Sequence, residues 1–202
     1  MKSFLLASGN SHKAEEFKEL FLGNVSIQPA PKTLEVEETG KTFIENSLMK
    51  ARAYFETYKV PSLADDSGLV VEALPDILGV QSARFAPELE TYKQKCERVL
   101  EILNSTRSEN RQAYFVCVLC FYISPEEIYF FEGRVNGVIG HSLKGQNGFG
   151  YDPIFIPERK ENDGKSLAEL PDWKNVFSHR AKAAQGALDF FKESVDKTHK
   201  KP

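Results

Sequence analysis

Residues 113–123, AYFVCVLCFYI, and residues 127–135, EIYFFEGRV, are two apolar runs joined through SPEE (124–127). Each has the length and the β-branched and aromatic content of a strand. A connection this short leaves room only to turn back, so the pair predicts an antiparallel hairpin. Around it, helices and strands interleave. SFLLA (3–7) is a short strand that stops at SGN and gives way to a helix over SHKAEEFKELFLG, with Ala14, Phe17 and Phe21 on one face and Gly23 at its end. Interleaved elements around an antiparallel pair predict an α/β fold with a mixed central sheet flanked by helices, rather than an all-parallel sheet.

The remaining segments fit that plan. KTFIENSLMKARAYFETYK predicts a helix opened by a Thr42–Glu45 capping box, with Ile44, Leu48, Ala51, Phe55 and Tyr58 along one side. SLADD and LVVEAL predict two strands flanking Ser67-Gly68. ELETYKQKCERVLEILN places Leu89, Tyr92, Cys96, Val99, Leu100 and Leu103 on one stripe of a packed helix. LKGQNGFGYDPIFIP is glycine-rich before a short strand. SHRAKAAQGALDFFKESV predicts a last helix with Ala184, Leu188, Phe191 and Val195 inward, and residues 196–202 a flexible tail. With no repeat and no linker, residues 1–202 are expected to form one domain.

Composition excludes several classes. A net charge of −3 offers no general attraction for nucleic acid or anionic lipid. The apolar run near the start is too short for a signal-peptide core, and no later run reaches the ~20 residues of a membrane span. A soluble cytoplasmic protein is the expectation. Cys96, Cys117 and Cys120 make no disulfide framework. CVLC has the spacing of a metal pair, but in a strand residues three apart face opposite ways, so these sulfurs are expected to be apolar filler.

Polar residues unsuited to a core gather in five places. SGNSHK (8–13), between strand and helix, offers backbone N–H groups, a helix N-terminus and Lys13 to an anion, although Asn10 or Ser11 could serve only as a cap. EVEETGKTFIENSLMK brings Glu37, Glu38, Glu45, Asn46 and Lys50, with Asn46 and Lys50 on one helix face; on its own this is more economically a solvated face. ADDSG sets Asp65 beside Asp66, and two adjacent desolvated carboxylates need a cation or a proton. A hard oxygen pair suits Mg²⁺, the alternative being a turn satisfied by backbone donors. NGFGYDP (147–153) lets backbone approach a ligand and presents Phe149 and Tyr151 as flat surfaces for a base, or else is a turn with core aromatics. Lys174 and, in SHRAK, His179 and Arg180 place donors near a helix N-terminus, whose dipole disfavours cations and so favours an electron-rich partner. Together these are the parts for holding a metal-bound nucleoside triphosphate.

SGNSHKAEEF, EETGKTFIENSLMKA, ADDSGLVVEAL, GVQSARF, GFGYDPIF and SHRAKA occur in the order seen in inosine triphosphate pyrophosphatases, and the chain resembles that family from about Leu5 to Ala184. The resemblance implies Mg²⁺-assisted hydrolysis of ITP, dITP and XTP to the monophosphate and pyrophosphate. It implies a homodimer whose elongated sheet lies between two lobes with a cleft. Ser8, Gly9, Asn10, Ser11, His12 and Lys13 match the triphosphate-binding turn, with Ser8 where the family usually has Thr. Glu37 matches a Mg²⁺ ligand. Asp66 matches a residue that is both metal ligand and proton acceptor, and Ser67 and Lys50 match substrate contacts. Phe149, Gly150, Tyr151, Asp152, Lys174, His179 and Arg180 match positions that hold the base. ALPDILGVQSAR departs from the pattern, with Gln81 where the family has Tyr.

The expected reaction is attack of water on the α-phosphorus with loss of pyrophosphate, driven by positioning and charge. Spacing alone does not choose between Asp65 and Asp66 as proton acceptor; the resemblance chooses Asp66. Three alternatives have distinct signatures. A Maf-type pyrophosphatase would prefer dTTP or UTP. A haloacid-dehalogenase-type phosphatase would release phosphate, and its aspartates are one residue apart rather than adjacent. A non-catalytic nucleotide-binding module would bind without turnover.

Overall fold

The computed structural model describes residues 3–198 apart from Asn24, Arg107 and Asn162, with the backbone alone at Ser11 and at 193–198. Six strands form one sheet. They are β1 (Ser3–Leu6), β2 (Ser26–Pro29), β3 (Ser62–Val71), β4 (Gln112–Ser124), β5 (Glu127–Ile139) and β6 (Phe155–Pro157), in the spatial order β2-β1-β3-β4-β5-β6. The helices are α1 (Ser11–Leu20), α2 (Phe43–Tyr58), α3 (Tyr92–Ser105), α4 (Pro171–Phe177) and α5 (His179–Thr198), with short 3-10 turns between some of them. β1 runs parallel to both β2 and β3, whereas β6 is antiparallel to β5. Neighbours β4 and β5 are joined by Pro125-Glu126 alone, the expected hairpin. The sheet is mixed, as the sequence predicts.

The chain divides into two compact units: Met1–Asp66 with Cys117–Gly133 and Arg180–Pro202, and Ser67–Val116 with Arg134–His179. In the first unit the strands bury both faces. Phe4, Leu6, Leu63, Cys117, Leu119 and Phe121 pack with Phe17, Phe21, Ala184, Leu188 and Phe191 in one apolar cluster. Leu5, Ala7, Ala64, Cys120 and Tyr122 pack with Ala51 and Tyr54 in another. This period-two alternation is why the strands read as continuous apolar runs. It also sends Cys117 and Cys120 to opposite faces as buried free thiols. The second unit has its own core, in which Leu69, Val71, Cys96, Val99, Leu103, Phe115, Ile154 and Phe155 meet. Among the described residues no helix is long and apolar enough to cross a membrane.

The structure departs from the sequence reading in five places. β2 and α4 were not anticipated. SLADD and the first three residues of LVVEAL lie in one unbroken strand, β3, which ends at Val71. In α3, Cys96, Val99, Leu100 and Leu103 are buried as expected, but Leu89 precedes the helix and Tyr92 is exposed. Helix α5 continues through 196–198 of the expected tail, whose last four residues lie outside the described ones, as does the side chain of Val195.

Gly68 explains the unbroken strand. A Cβ there would lie 2.2 Å from the Gly79 carbonyl oxygen and 2.7 Å from Ser82 Oγ. The glycine admits a close backbone approach inside a strand instead of making a turn. Gly68→Ala is therefore expected to lower stability by about 1–3 kcal/mol through overpacking against backbone, read as a lower urea midpoint. An unchanged midpoint contradicts this packing.

Candidate active site

The adjacent aspartates lie in the middle of β3, both buried. Successive strand residues point to opposite faces, so Asp65 shares the face of Leu63 and Asp66 that of Ala64. Each carboxylate is met by its own cations. Asp65 Oδ2 is 2.7 Å from Lys13 Nζ and 3.9 Å from Arg180 Nη2. Burial alone would raise its pKa. The charges of Lys13, Arg180 and Lys50 outweigh burial and hold the carboxyl well below the usual range. Asp65 stays ionised and cannot take up a proton near neutral pH.

Asp66 is different. Asn46 Nδ2 donates to its Oδ2 at 3.1 Å, and Lys50 Nζ lies 3.8 Å from its Oδ1. Burial is the main influence and pushes its pKa up to about 6, against the opposing pull of Lys50 and Asn46. Glu38 and Asp65 add negative charge that pushes the same way. Lys50 in turn is held 2.6 Å from Glu38. Burial would lower the Lys50 pKa, but Asp65, Asp66 and Glu38 together raise it, so the ammonium stays charged. A carboxylate poised near neutral pH and fixed on a strand suits a proton acceptor.

One expectation for this region is corrected. The Asn46–Lys50 face of α2 is not a solvated face: Asn46 is fully buried and Lys50 half-buried, while Ile44, expected inside, is exposed. Helix α2 turns its polar side inward because the buried carboxylate of Asp66 needs donors there. The carboxylate beside Lys50 is Glu38. Residues 33–40 alternate between exposed and half-buried, and this register leaves Glu37 exposed. Among the described residues no cluster of three or more His, Cys, Asp or Glu side chains forms a metal cage.

The 8–13 turn opens α1. Asn10 caps the helix by accepting from the Lys13 N–H at 3.2 Å, and Ser8 Oγ accepts from the Asn10 N–H at 3.2 Å. Ser11 is the first helical residue, and Gly9, Asn10 and His12 are exposed. Capping and an anion-receptive N-terminus thus coincide, with Lys13 carried beside them by Asp65.

In the second unit, Asp152 Oδ2 accepts from the Phe149 N–H at 2.9 Å and from Lys174 Nζ at 2.8 Å, with both ionic groups buried. The same ammonium lies 4.3 Å over the Phe149 ring. Pro171 at the start of α4 helps set the position of Lys174. Ser67 and Gly150 are half-buried, and Gly150 O accepts from Cys96 Sγ at 3.5 Å. His179 is buried and stacked on Phe115, with ring centroids 4.8 Å apart. Tyr151 is no exposed platform: it is buried, its hydroxyl donates to Ser82 O at 2.7 Å, and it packs edge-on against Tyr92. Arg180 sits among acidic partners. Its fully buried guanidinium pairs with Glu16 and lies 3.9 Å from Asp65 in the first unit, above the Phe17 ring. A permanent cation without solvent is held where acidic partners are.

A sequence profile described as the Ham1 family matches residues 4–190. The chain belongs to the Ham1 family. A protein of Aquifex aeolicus (strain VF5) named dITP/XTP pyrophosphatase is 44% identical over 200 residues, 93% of this chain and 96% of its own. One of Bacillus subtilis (strain 168) with the same name is 42% identical, over 91% of this chain and 93% of its own. Among solved structures, a HAM1 protein from Coxiella burnetii matches with a TM-score of 0.86 at 36% identity, over 96% of this chain and all of its own. The Staphylococcus aureus Ham1 protein matches at 0.82 and 34%, over 96% of this chain and all of its own. The family resemblance carried by the sequence blocks is borne out, and the mixed sheet is that of the Ham1 structures. In this Ham1 protein Glu38 Oε1 and Asp66 Oδ1 both face the Lys50 ammonium, and carboxylate oxygens are the ligand type that a hard divalent cation takes.

Proposed function

We propose that the protein hydrolyses non-standard purine nucleoside triphosphates, namely ITP, dITP and XTP, to the monophosphate and pyrophosphate, removing them from the nucleotide pool. The observation that carries this reading is the division of labour between the adjacent aspartates. One is locked with Lys13 and Arg180, and the other is raised toward neutral pH beside Lys50. The names borne by the relatives support the substrate class.

In this reading the 8–13 turn, Lys13 and Lys50 take the phosphates, and Ser67, the residue after Asp66, is a further substrate contact. Asp66 accepts a proton from water as the water oxygen bonds to the α-phosphorus. The bond from that phosphorus to the bridging oxygen breaks, and pyrophosphate leaves with the electron pair. Asp66 and Glu38 would hold Mg²⁺, with Glu37, the ligand the resemblance implies, next to Glu38 on the same loop. When bound, Mg²⁺ supplies positive charge to the phosphate oxygens.

The Phe149–Asp152 turn, Lys174 and His179 take the base. Their N–H donors pair with the 6-oxo group of hypoxanthine or xanthine and lose their partner against the amino group of adenine, a difference of roughly 10² to 10⁴ in kcat/KM. We read the protein as a cytoplasmic homodimer acting on free nucleotides rather than on nucleic acid, in keeping with its net charge of −3.

The test is turnover of ITP, XTP, GTP, ATP, dTTP and UTP with and without Mg²⁺, scoring pyrophosphate and phosphate separately. Pyrophosphate alone, Mg²⁺ dependence and preference for ITP and XTP over ATP are expected. Equal rates on all bases, release of phosphate, or binding without turnover overturn the proposal.

A further inference from the structure

Helix α2 begins with a locked turn. Thr42 accepts from the Glu45 N–H while Glu45 accepts from the N–H groups of Thr42 and Lys41, at 3.0 and 2.7 Å. One residue further on is Asn46, fully buried on the innermost face of the helix. Asparagine is a poor helix former, and a buried carboxamide costs free energy unless its polar atoms are satisfied. Its Oδ1 accepts from the Gly40 N–H at 2.8 Å, and its Nδ2 donates to Asp66 Oδ2 at 3.1 Å. A backbone N–H can only donate, so the Gly40 contact fixes which end of the amide faces Asp66. Gly40 has to be small for this. A Cβ there would lie 2.6 Å from Asn46 Oδ1 and 2.7 Å from Glu45 Cβ.

We propose that Asn46, oriented by Gly40, is the positioning residue of the hydrolysis. It anchors Oδ2 of Asp66 and thereby presents Oδ1, the oxygen on the Lys50 side, to the attacking water. The inference rests on Asp66 as proton acceptor. It extends that reading to the loop before α2, whose close approach at Gly40 becomes part of the machinery. Misplacing a proton acceptor by about 1 Å costs up to 10²-fold in rate while leaving binding groups untouched.

The experiment compares Asn46→Ala, Gly40→Ala, the double variant and Asp66→Asn in steady-state hydrolysis of ITP, with thermal midpoints measured in parallel. Asn46→Ala is expected to lower kcat by roughly 10- to 100-fold with KM within about threefold of wild type. Gly40→Ala is expected to lower kcat in the same direction, and the double variant to be no slower than Asn46→Ala, since both break one link. A merely structural role predicts lower thermal midpoints, additive losses and normal kcat per folded enzyme, and that result overturns the proposal. Should Asn46→Ala fail to fold, normal kcat in Gly40→Ala overturns it as well. Normal turnover in Asp66→Asn removes the acceptor and the inference together, whereas a slow Asp66→Asn beside a normal Asn46→Ala removes the inference alone.

Discussion

Asp66→Asn is expected to lower kcat for ITP by roughly 10² to 10⁴ and, in the metal-free protein, to raise stability above pH 6. The two effects share a cause. A carboxyl with an ordinary pKa of 3.8 is pushed to about 6, mainly by burial. Below pH 4 it is protonated in both folded and unfolded chains and has no effect on stability. Between pH 4 and 6 the unfolded chain ionises and the folded one resists, so stability falls as pH rises; above 6 the penalty is complete. A shift of about 2 units corresponds to roughly 3 kcal/mol. Asparagine keeps the shape and never ionises, so the midpoints of variant and wild type should separate over that interval and stay apart at higher pH. Near-normal turnover removes Asp66 from the mechanism, and coincident stability curves from pH 4 to 8 contradict its raised pKa. The wild-type penalty is stability given up for a poised acceptor.

Arg180→Leu is expected to cost roughly 3–5 kcal/mol, because it leaves a buried carboxylate short of a partner. Asp65 is 1% exposed and Arg180 also 1%, so water cannot take over the lost contact. The pH dependence has the opposite sign to that of Asp66. A depressed carboxyl contributes stability at neutral pH that is lost as pH falls through the folded pKa. Without Arg180 the depression shrinks and acid unfolding should begin at a higher pH. In an Asp65→Asn/Arg180→Leu variant the losses should sum to less than the two single losses, since the second change removes the charge that the first stranded. Urea melts over a pH series read all three. An Arg180→Leu protein as stable as wild type, with only KM for ITP raised, would instead assign the guanidinium to the base, as the family resemblance implies.

Much of this was legible in the sequence. The central hairpin forced a mixed sheet because two residues cannot carry a strand back to a parallel start. What misled was glycine and polarity. Ser67-Gly68 resembles a turn, yet Gly68 is small because the Gly79 carbonyl presses on it in the middle of β3. Asn46 lies on a face with no apolar stripe, and the stripe rule assumes an oily interior whereas this helix packs on a carboxylate. Strand β2 (SIQP) is short and ends in Pro29, too little pattern to register. Helix α4 did carry a signal, Pro171 at its first position. The alternation of β3 could have separated Asp65 from Asp66 at the outset, since one carboxylate per face follows from period two alone. That Glu38 meets Lys50 depends on the register of an irregular segment, which no periodic signal supplies.

The account stands on water being activated at Asp66 and directed to the α-phosphorus. Hydrolysis of ITP in water enriched in heavy oxygen, with both products weighed by mass spectrometry, reads this directly. The account predicts one heavy oxygen in the monophosphate and none in the pyrophosphate. Label in the pyrophosphate, or in free phosphate, would contradict it.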